Sequence, residues 1–225
     1  TNGLLMGTDG KKMSKSAGNG FQVDEKLAEV GADTARGASV GAIGKNAVVG
    51  TYAFASSKVT KVTFNSEIEI KAGMFAQCTS LAEINFENVA GAIGDYAFYG
   101  CEKLKNINIS KVTSIGDYSF CNCYLIETFV APKLVSIGKY AFASTKESST
   151  IATKLQTLEL PSLEHIGEYA LRGSGSLKSV NFPALKSMEE GALASCIGLT
   201  NVTFSNELKE IPAYAFLNCT NLVFD

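Results

Sequence analysis

The sequence returns three times to almost the same hexapeptide: IGDYAF (93–98), IGDYSF (115–120) and IGKYAF (137–142). Five further copies follow the same scheme: VGTYAF (49–54), IKAGMF (70–75), IGEYAL (166–171), MEEGAL (188–193) and IPAYAF (211–216). The last positions of the eight copies lie 21, 23, 22, 22, 29, 22 and 23 residues apart. A near-constant period of this length indicates a repeat protein whose units stack on one another. The single long step is an ordinary unit with a polar insertion, TKESSTIAT (145–153).

Each unit has a second half with the pattern L-x-x-I-x-I. The copies are LAEINF (81–86), LKNINI (104–109), IETFVA (126–131), LQTLEL (155–160), LKSVNF (177–182) and LTNVTF (199–204). The alternation at the end of this pattern predicts a short strand with one buried face, and its spacing is typical of a leucine-rich repeat. One unit cannot bury its apolar side alone, so we expect stacked units with like residues about 4.8 Å apart.

The last hexapeptide position is predicted to form the spine of the shared core. It holds Phe54, Phe75, Phe98, Phe120, Phe142, Leu171, Leu193 and Phe216. The glycine that follows the isoleucine in most copies predicts a tight corner or a positive φ.

The unit is similar to the BspA-like, or Treponema pallidum-type, leucine-rich repeat, whose pattern is approximately C-x-x-L-x-x-I-x-I-P-x-x-V-x-x-I-G-x-x-A-F. The resemblance covers about residues 30–225, although the proline after the strand occurs only as Pro132, Pro161 and Pro183. It implies an α/β leucine-rich repeat solenoid. We expect a right-handed coil of about eight repeats of 22–23 residues, with short parallel strands and an irregular or short helical convex side. It also implies a secreted or cell-surface protein.

The predicted organisation is one solenoid domain in three parts. Residues 1–29 are interpreted as an N-terminal hairpin or cap, residues 30–58 as degenerate repeats, and residues 59–225 as regular repeats. A cap is expected because the end of a solenoid has to hide its core.

The segment KMSKS (12–16) resembles the catalytic loop of class I aminoacyl-tRNA synthetases. Only 11 residues precede it, and the nearest counterpart of the second motif of that family, HIGE (165–168), lies on the wrong side in chain order and shares the Ile-Gly of the repeat. We interpret the segment as part of a hairpin, because Asp9-Gly10 is a strong turn signal. A tRNA-charging enzyme would show ATP–pyrophosphate exchange, which we do not expect.

Five of the six cysteines lie three residues after the phenylalanine position: Cys78, Cys101, Cys123, Cys196 and Cys219. This position is expected to need a small, buried side chain. The other interpretation is a disulfide or metal ladder, but ligands for a metal have to converge on one point, and a solenoid column spreads them along a line. Cys121 is expected to be a free thiol.

His165 is the only histidine and is expected to be solvated. The sequence thus predicts no enzyme activity, no cofactor and no metal.

Tyrosine also recurs, two residues before the phenylalanine position: Tyr52, Tyr96, Tyr118, Tyr140, Tyr169 and Tyr214. One interpretation is packing on the convex side. The other is an aromatic stripe used in adhesion, because tyrosine is enriched at interfaces.

The net charge and the distribution of apolar residues restrict the kinds of partner that this chain could bind. The formal net charge is -2, which argues against a nucleic-acid binder that relies on a basic face. No apolar run long enough for a membrane span is present. The first hypothesis is an extracellular or cell-surface adhesion module that binds a host protein, a glycan or another cell through its strand face. The candidate residues are Asn85, Lys105, Asn108, Glu127, Val130, Glu159, Lys178, Asn181 and Thr203. The second hypothesis is a homo-oligomer that stacks end to end through an open C-terminal repeat edge, because exposed strand edges pair readily.

Overall fold

The computed structural model describes residues 48–145 and 153–223, and these residues form a solenoid of parallel β-strands. Seven strands come from the L-x-x-I-x-I segments and their counterpart at the first turn: β1 (Lys61–Val62), β3 (Glu83–Ile84), β5 (Asn106–Asn108), β7 (Thr128–Val130), β9 (Thr157–Glu159), β11 (Ser179–Phe182) and β13 (Asn201–Phe204). Six strands lead into the Ile-Gly corner: β2 (Ile68–Ile70), β4 (Val89–Ile93), β6 (Lys111–Ile115), β8 (Ser136–Ile137), β10 (His165–Ile166) and β12 (Ser187–Met188).

The two sets of strands differ in continuity. The even-numbered strands form one six-stranded parallel sheet in the order β12-β10-β8-β6-β4-β2. The odd-numbered strands form three separate sheets, β1-β3, β5-β7-β9 and β11-β13. Every pair is parallel, as expected when successive turns of one coil lie side by side.

The phenylalanine column is confirmed as the spine of the core. The rings from Phe54 to Phe142 stack face to face, with centroids 5.1 to 5.4 Å apart and interplanar angles of at most 15°. Rings from the strand side pack edge-on against this stack, for example Phe129 against Phe142 at 4.7 Å. Leu171 and Leu193 continue the column and are fully buried.

The corner glycines are not needed to allow a positive φ. Gly94, Gly116, Gly138 and Gly167 lack that conformation. They are needed because the turns approach closely: a Cβ on Gly167 would lie 2.7 Å from the carbonyl carbon of Gly138. The positive φ falls instead on the column of six tyrosines, with values between 51° and 58° at Tyr52, Tyr96, Tyr118, Tyr140, Tyr169 and Tyr214.

The α/β class is not confirmed. The only helix among the described residues is the three-residue 3-10 helix Phe86–Asn88. Each turn is short and consists of two short strands and a corner that contains a left-handed residue. A left-handed residue cannot continue a right-handed helix.

The count of eight repeats is not confirmed either, since the long sheet shows about six turns. The terminal hexapeptides at 49–54 and 211–216 supply no strand to that sheet. The right-handed sense of the coil stays a prediction. The proposed hairpin at 1–29, including KMSKS, and most of the degenerate repeats lie outside the described residues.

Candidate functional site

The structure brings the predicted strand-face residues into two groups. Asn108, Val130 and Glu159 lie in register across β5, β7 and β9. Asn181 and Thr203 lie in register across β11 and β13. All of these side chains are exposed except that of Val130, which is half-buried. The face is therefore divided where the strand ladder is broken.

Asn85 belongs to the same column but uses its amide for structure. The Phe64 N–H donates to Asn85 Oδ1 at 2.6 Å, and Asn85 Nδ2 donates to the Phe64 carbonyl at 2.9 Å. The side chain thus imitates a strand partner for the preceding turn. Its polar atoms are already paired, so Asn85 offers a ligand less than the exposed asparagines do.

The flanking residues Lys105, Glu127 and Lys178 stand at the start of their strands. The Glu127 N–H donates to the Lys105 carbonyl at 2.9 Å, and the Lys178 carbonyl accepts the Thr200 N–H at 2.8 Å. Lys105 and Lys178 are exposed, whereas Glu127 is half-buried. Lys105 and Lys178 each lie directly before the strand that follows a break in the ladder, β5 and β11 respectively.

Sequence reasoning missed a second outward column, two residues earlier in each strand. It consists of Glu83, Asn106, Thr128, Thr157, Ser179 and Asn201, which are exposed or half-exposed. The register places Asn106 beside Thr128 and Thr128 beside Thr157. The period-two alternation already contained this signal, because both neighbours of a buried strand residue point outward.

A cleft of about 370 Å³ opens at the break between β3 and β5. Its lining residues are Lys61, Val62, Thr63, Ala82, Glu83, Ile84, Asn85, Phe86, Leu104, Lys105 and Asn106. Lys61 Nζ and Glu83 Oε2 form an ion pair at 2.7 Å, which neutralises both groups. Among the described residues Lys105 belongs to no ion pair, so the lining carries one uncompensated positive charge.

The cysteine column is a ladder of hydrogen bonds rather than of disulfides. Each thiol donates to the backbone carbonyl at the phenylalanine position of the preceding turn, for instance Cys101 to Phe75 at 3.1 Å and Cys123 to Phe98 at 3.1 Å. All six cysteines are free. Burial raises the pKa of the Cys101 and Cys123 thiols and raises that of Cys121 to about 12. These thiols therefore stay protonated, which a hydrogen-bond donor requires.

The tyrosine column packs ring on ring. Tyr96, Tyr118, Tyr140 and Tyr169 stack with centroids 4.9 to 5.2 Å apart. Each inner ring therefore presents only its edge to solvent, which favours the packing interpretation over a stripe that binds ligands through ring faces. The Tyr169 hydroxyl donates to Glu190 at 3.0 Å, and this bond is the main reason that the pKa of Tyr169 is raised.

His165 lies on the continuous sheet and is exposed. Its Nδ1 is 2.7 Å from Ser187 Oγ, and its Nε2 is 3.8 Å from Glu164. Glu164 also pairs with Lys186 at 2.8 Å, and that hydrogen bond lowers the pKa of Glu164. The group lies open on a sheet surface, away from the cleft.

No group of three or more His, Cys, Asp and Glu side chains in residues 48–145 and 153–223 is arranged to hold a metal ion. In the same ranges, no helix has the length and apolar character needed to cross a bilayer.

The fold is similar to those of several solved bacterial proteins. A leucine-rich cell-surface protein from Faecalibacterium prausnitzii matches with a TM-score of 0.59 and 23% identity over 78% of this chain and 48% of that one. The leucine-rich repeat protein of T. pallidum matches with a TM-score of 0.57 and 24% identity over 73% of this chain and 78% of that one. A leucine-rich repeat protein from Bacteroides ovatus matches with a TM-score of 0.54 and 22% identity over 73% of this chain.

The chain spans about half the length of the B. ovatus and F. prausnitzii proteins, 48% in each case. A comparison with curated proteins found no match. The family described as the BspA type leucine rich repeat region matches residues 47–154 and 150–223, in six copies. Because this match extends over most of the sequence and agrees with the turns of the solenoid, the chain belongs to the BspA-type leucine-rich repeat family.

Proposed function

We propose that this chain is an extracellular or cell-surface binding module that adheres to a protein or glycan through the strand face. BspA-type repeat proteins are typically surface-associated, which supports this location. We also propose that the chain works without enzymatic activity and without a cofactor.

One observation carries the proposal. Asn106, Asn108 and Asn181 are exposed on the odd-numbered strands, and within the described ranges their side-chain amides take part in no hydrogen bond. An amide offers both donors and an acceptor, so three unpaired amides, two on β5 and one on β11, are available for a polar ligand. The face is polar and mixed in charge, which suits wet recognition of a partner surface.

The test combines Asn108→Ala, Glu159→Ala and Asn181→Ala in one variant. Once a screen of matrix proteins and glycans has identified a ligand, we expect the variant to bind it roughly tenfold or more weakly, since several polar contacts are lost together. Surface plasmon resonance measures the dissociation constant.

A matched control removes two asparagines and one glutamate outside the strands: Asn65→Ala, Asn206→Ala and Glu207→Ala. This control should bind like the parent chain. Equal affinity of the parent and the strand-face variant would remove that face from consideration.

A second candidate function is end-to-end self-assembly into a filament or surface layer. The last described turn exposes four apolar side chains, Ile211, Tyr214, Leu217 and Val223, with 48% to 73% of each accessible. The equivalents of Ile211 in inner turns, Ile137 and Ile166, are buried against the next turn. A second copy stacked on this turn would bury the exposed group.

Sedimentation velocity tests the assembly. We expect the sedimentation coefficient to rise with protein concentration up to tens of micromolar, and to stay at the monomer value when Ile211→Lys and Leu217→Lys are combined, because two buried charges oppose stacking. A parent chain that stays monomeric over the whole range would contradict the assembly.

A further inference from the structure

Backbone N–H groups at the start of the strands work in pairs. At five places two consecutive N–H groups donate to one carbonyl oxygen of the preceding turn, at 2.8 to 3.4 Å. The pairs and their acceptors are Ala82 and Glu83 on Thr60, Gln156 and Thr157 on Glu127, Glu164 and His165 on Val135, Lys186 and Ser187 on Glu164, and Thr200 and Asn201 on Lys178. The repeat thus builds a two-donor receptor for a single oxygen atom.

Lys105 and Asn106 hold the same positions in LKNINI that Ala82 and Glu83 hold in LAEINF. Their expected acceptor is the Ala82 carbonyl, but neither N–H donates to it, and β3 and β5 are not paired. The Ile109 N–H donates to Val130 in β7 at 2.9 Å. Within β5 successive N–H groups point to opposite edges, so the Asn106 N–H faces the other edge, where the cleft lies. Lys105 precedes β5, and its equivalence to Ala82, whose N–H donates to the preceding turn together with that of Glu83, places its N–H on the same side.

The charges around the cleft indicate which kind of oxygen atom would accept the Lys105 and Asn106 N–H groups. Lys105 lines the cleft and its side chain has no ionic partner among the described residues, while Lys61 and Glu83 neutralise one another. The carboxylate of Glu127, in the next turn, is not within ion-pair distance of Lys105. Two convergent N–H donors beside a free ammonium favour an anionic oxygen, since hydrogen bonds to charged acceptors are the stronger ones.

The other break in the ladder repeats the arrangement. β9 and β11 are not paired, and Lys178 and Ser179 stand where Lys105 and Asn106 stand at the first break. Both vacant N–H pairs therefore begin with a lysine. At the first break the cleft adds apolar surface from Ala82 and the half-buried Ile84, whereas Val62 and Leu104 behind them are buried.

We propose that the cleft between β3 and β5 binds a carboxylate. One carboxylate oxygen accepts the N–H groups of Lys105 and Asn106 in place of the missing carbonyl, and the Lys105 ammonium supplies the opposite charge. Ala82 and Ile84 contact the carbon part of the ligand. This inference rests on the proposed binding function and names the chemistry that part of the face recognises.

The experiment is an NMR titration of the ¹⁵N-labelled chain with sodium acetate, at an ionic strength held constant with sodium chloride. We expect saturable downfield shifts of the Lys105 and Asn106 amides, with a dissociation constant in the millimolar range for so small a ligand. The Thr200 and Asn201 amides are the internal control, because the Lys178 carbonyl already occupies that receptor.

Two further probes separate the natural sources of a carboxylate. N-acetylglutamate represents an acidic peptide, and methyl glucuronide represents an acidic sugar. Tighter binding of one of them than of acetate supports the site and identifies its source, and equal binding of all three supports a site that reads the carboxylate alone. The absence of saturable shifts at Lys105 and Asn106 with all three probes, or equal shifts at the control amides, overturns the proposal.

Lys105→Gln is expected to weaken carboxylate binding roughly tenfold, because it removes the charge and keeps the stem of the side chain. Lys133→Gln, an exposed lysine outside the cleft, should leave the affinity unchanged. The outcome is separable from that of the adhesion experiment: a failed titration with intact adhesion rejects this subsite only, whereas carboxylate binding without adhesion rejects the larger function.

Discussion

Replacing Phe120 by alanine is expected to lower the free energy of unfolding by about 3–5 kcal/mol. The Phe120 ring is 1% exposed and stacks between Phe98 at 5.1 Å and Phe142 at 5.3 Å. Phe129 packs edge-on against it at 5.3 Å. Rigid turns on both sides are held by their own hydrogen bonds, so they cannot collapse into the cavity. Urea unfolding followed by circular dichroism measures the loss.

Phe120→Leu is the matched control. Leucine already occupies the same column at Leu171 and Leu193, where it is fully buried. We expect this variant to lose roughly 1–2 kcal/mol, because it leaves a smaller void. If the alanine variant were no less stable than the leucine variant, the aromatic column would not be the spine of the core.

Replacing Gly167 by alanine is the second large effect. The added Cβ would lie 2.7 Å from Gly138 C, 2.7 Å from Lys139 N and 3.0 Å from Gly138 O. All three are backbone atoms of the preceding turn, so no side chain can rotate away and the turns have to separate. Overpacking of this kind costs about 1–3 kcal/mol and occasionally more. The shift of the urea midpoint, converted with the slope of the parent chain, gives the value.

Gly50→Ala is the control for this substitution. Among residues 48–145 and 153–223, a Cβ at Gly50 meets no atom within 4 Å. Alanine there should be neutral or stabilise the chain by up to about 1 kcal/mol, because it restricts the unfolded state. Equal destabilisation at Gly50 and Gly167 would show that close stacking is not the reason for the corner glycine.

Much of the fold could be predicted from the residues alone. The spacing of the hexapeptides predicted which phenylalanines stack, because a solenoid places equivalent positions of successive turns over one another. The alternation in LKNINI predicted that Asn108 points outward. The convex side was expected to be irregular or short helical, and among the described residues the helical alternative is not confirmed, since the short unit and its left-handed tyrosines leave no room for a helix.

The candidate site was less accessible to sequence reasoning. Asn85 and Asn108 occupy the same repeat position, yet one amide is paired with Phe64 and the other is exposed and unpaired. Asn85 directly precedes the short 3-10 helix, and β3 is not paired with β5. No single unit shows this, because the partner of each group lies a full turn away.

The sequence by itself determined the period, the family and the residues that share each column, because these follow from the order of apolar side chains along the chain. Only the tertiary structure decided where the strand ladder is continuous and where it opens, which glycines touch backbone, and which N–H pairs lack an acceptor. These features depend on distances between neighbouring turns, and hydrogen bonds and steric contacts change over a few tenths of an ångström.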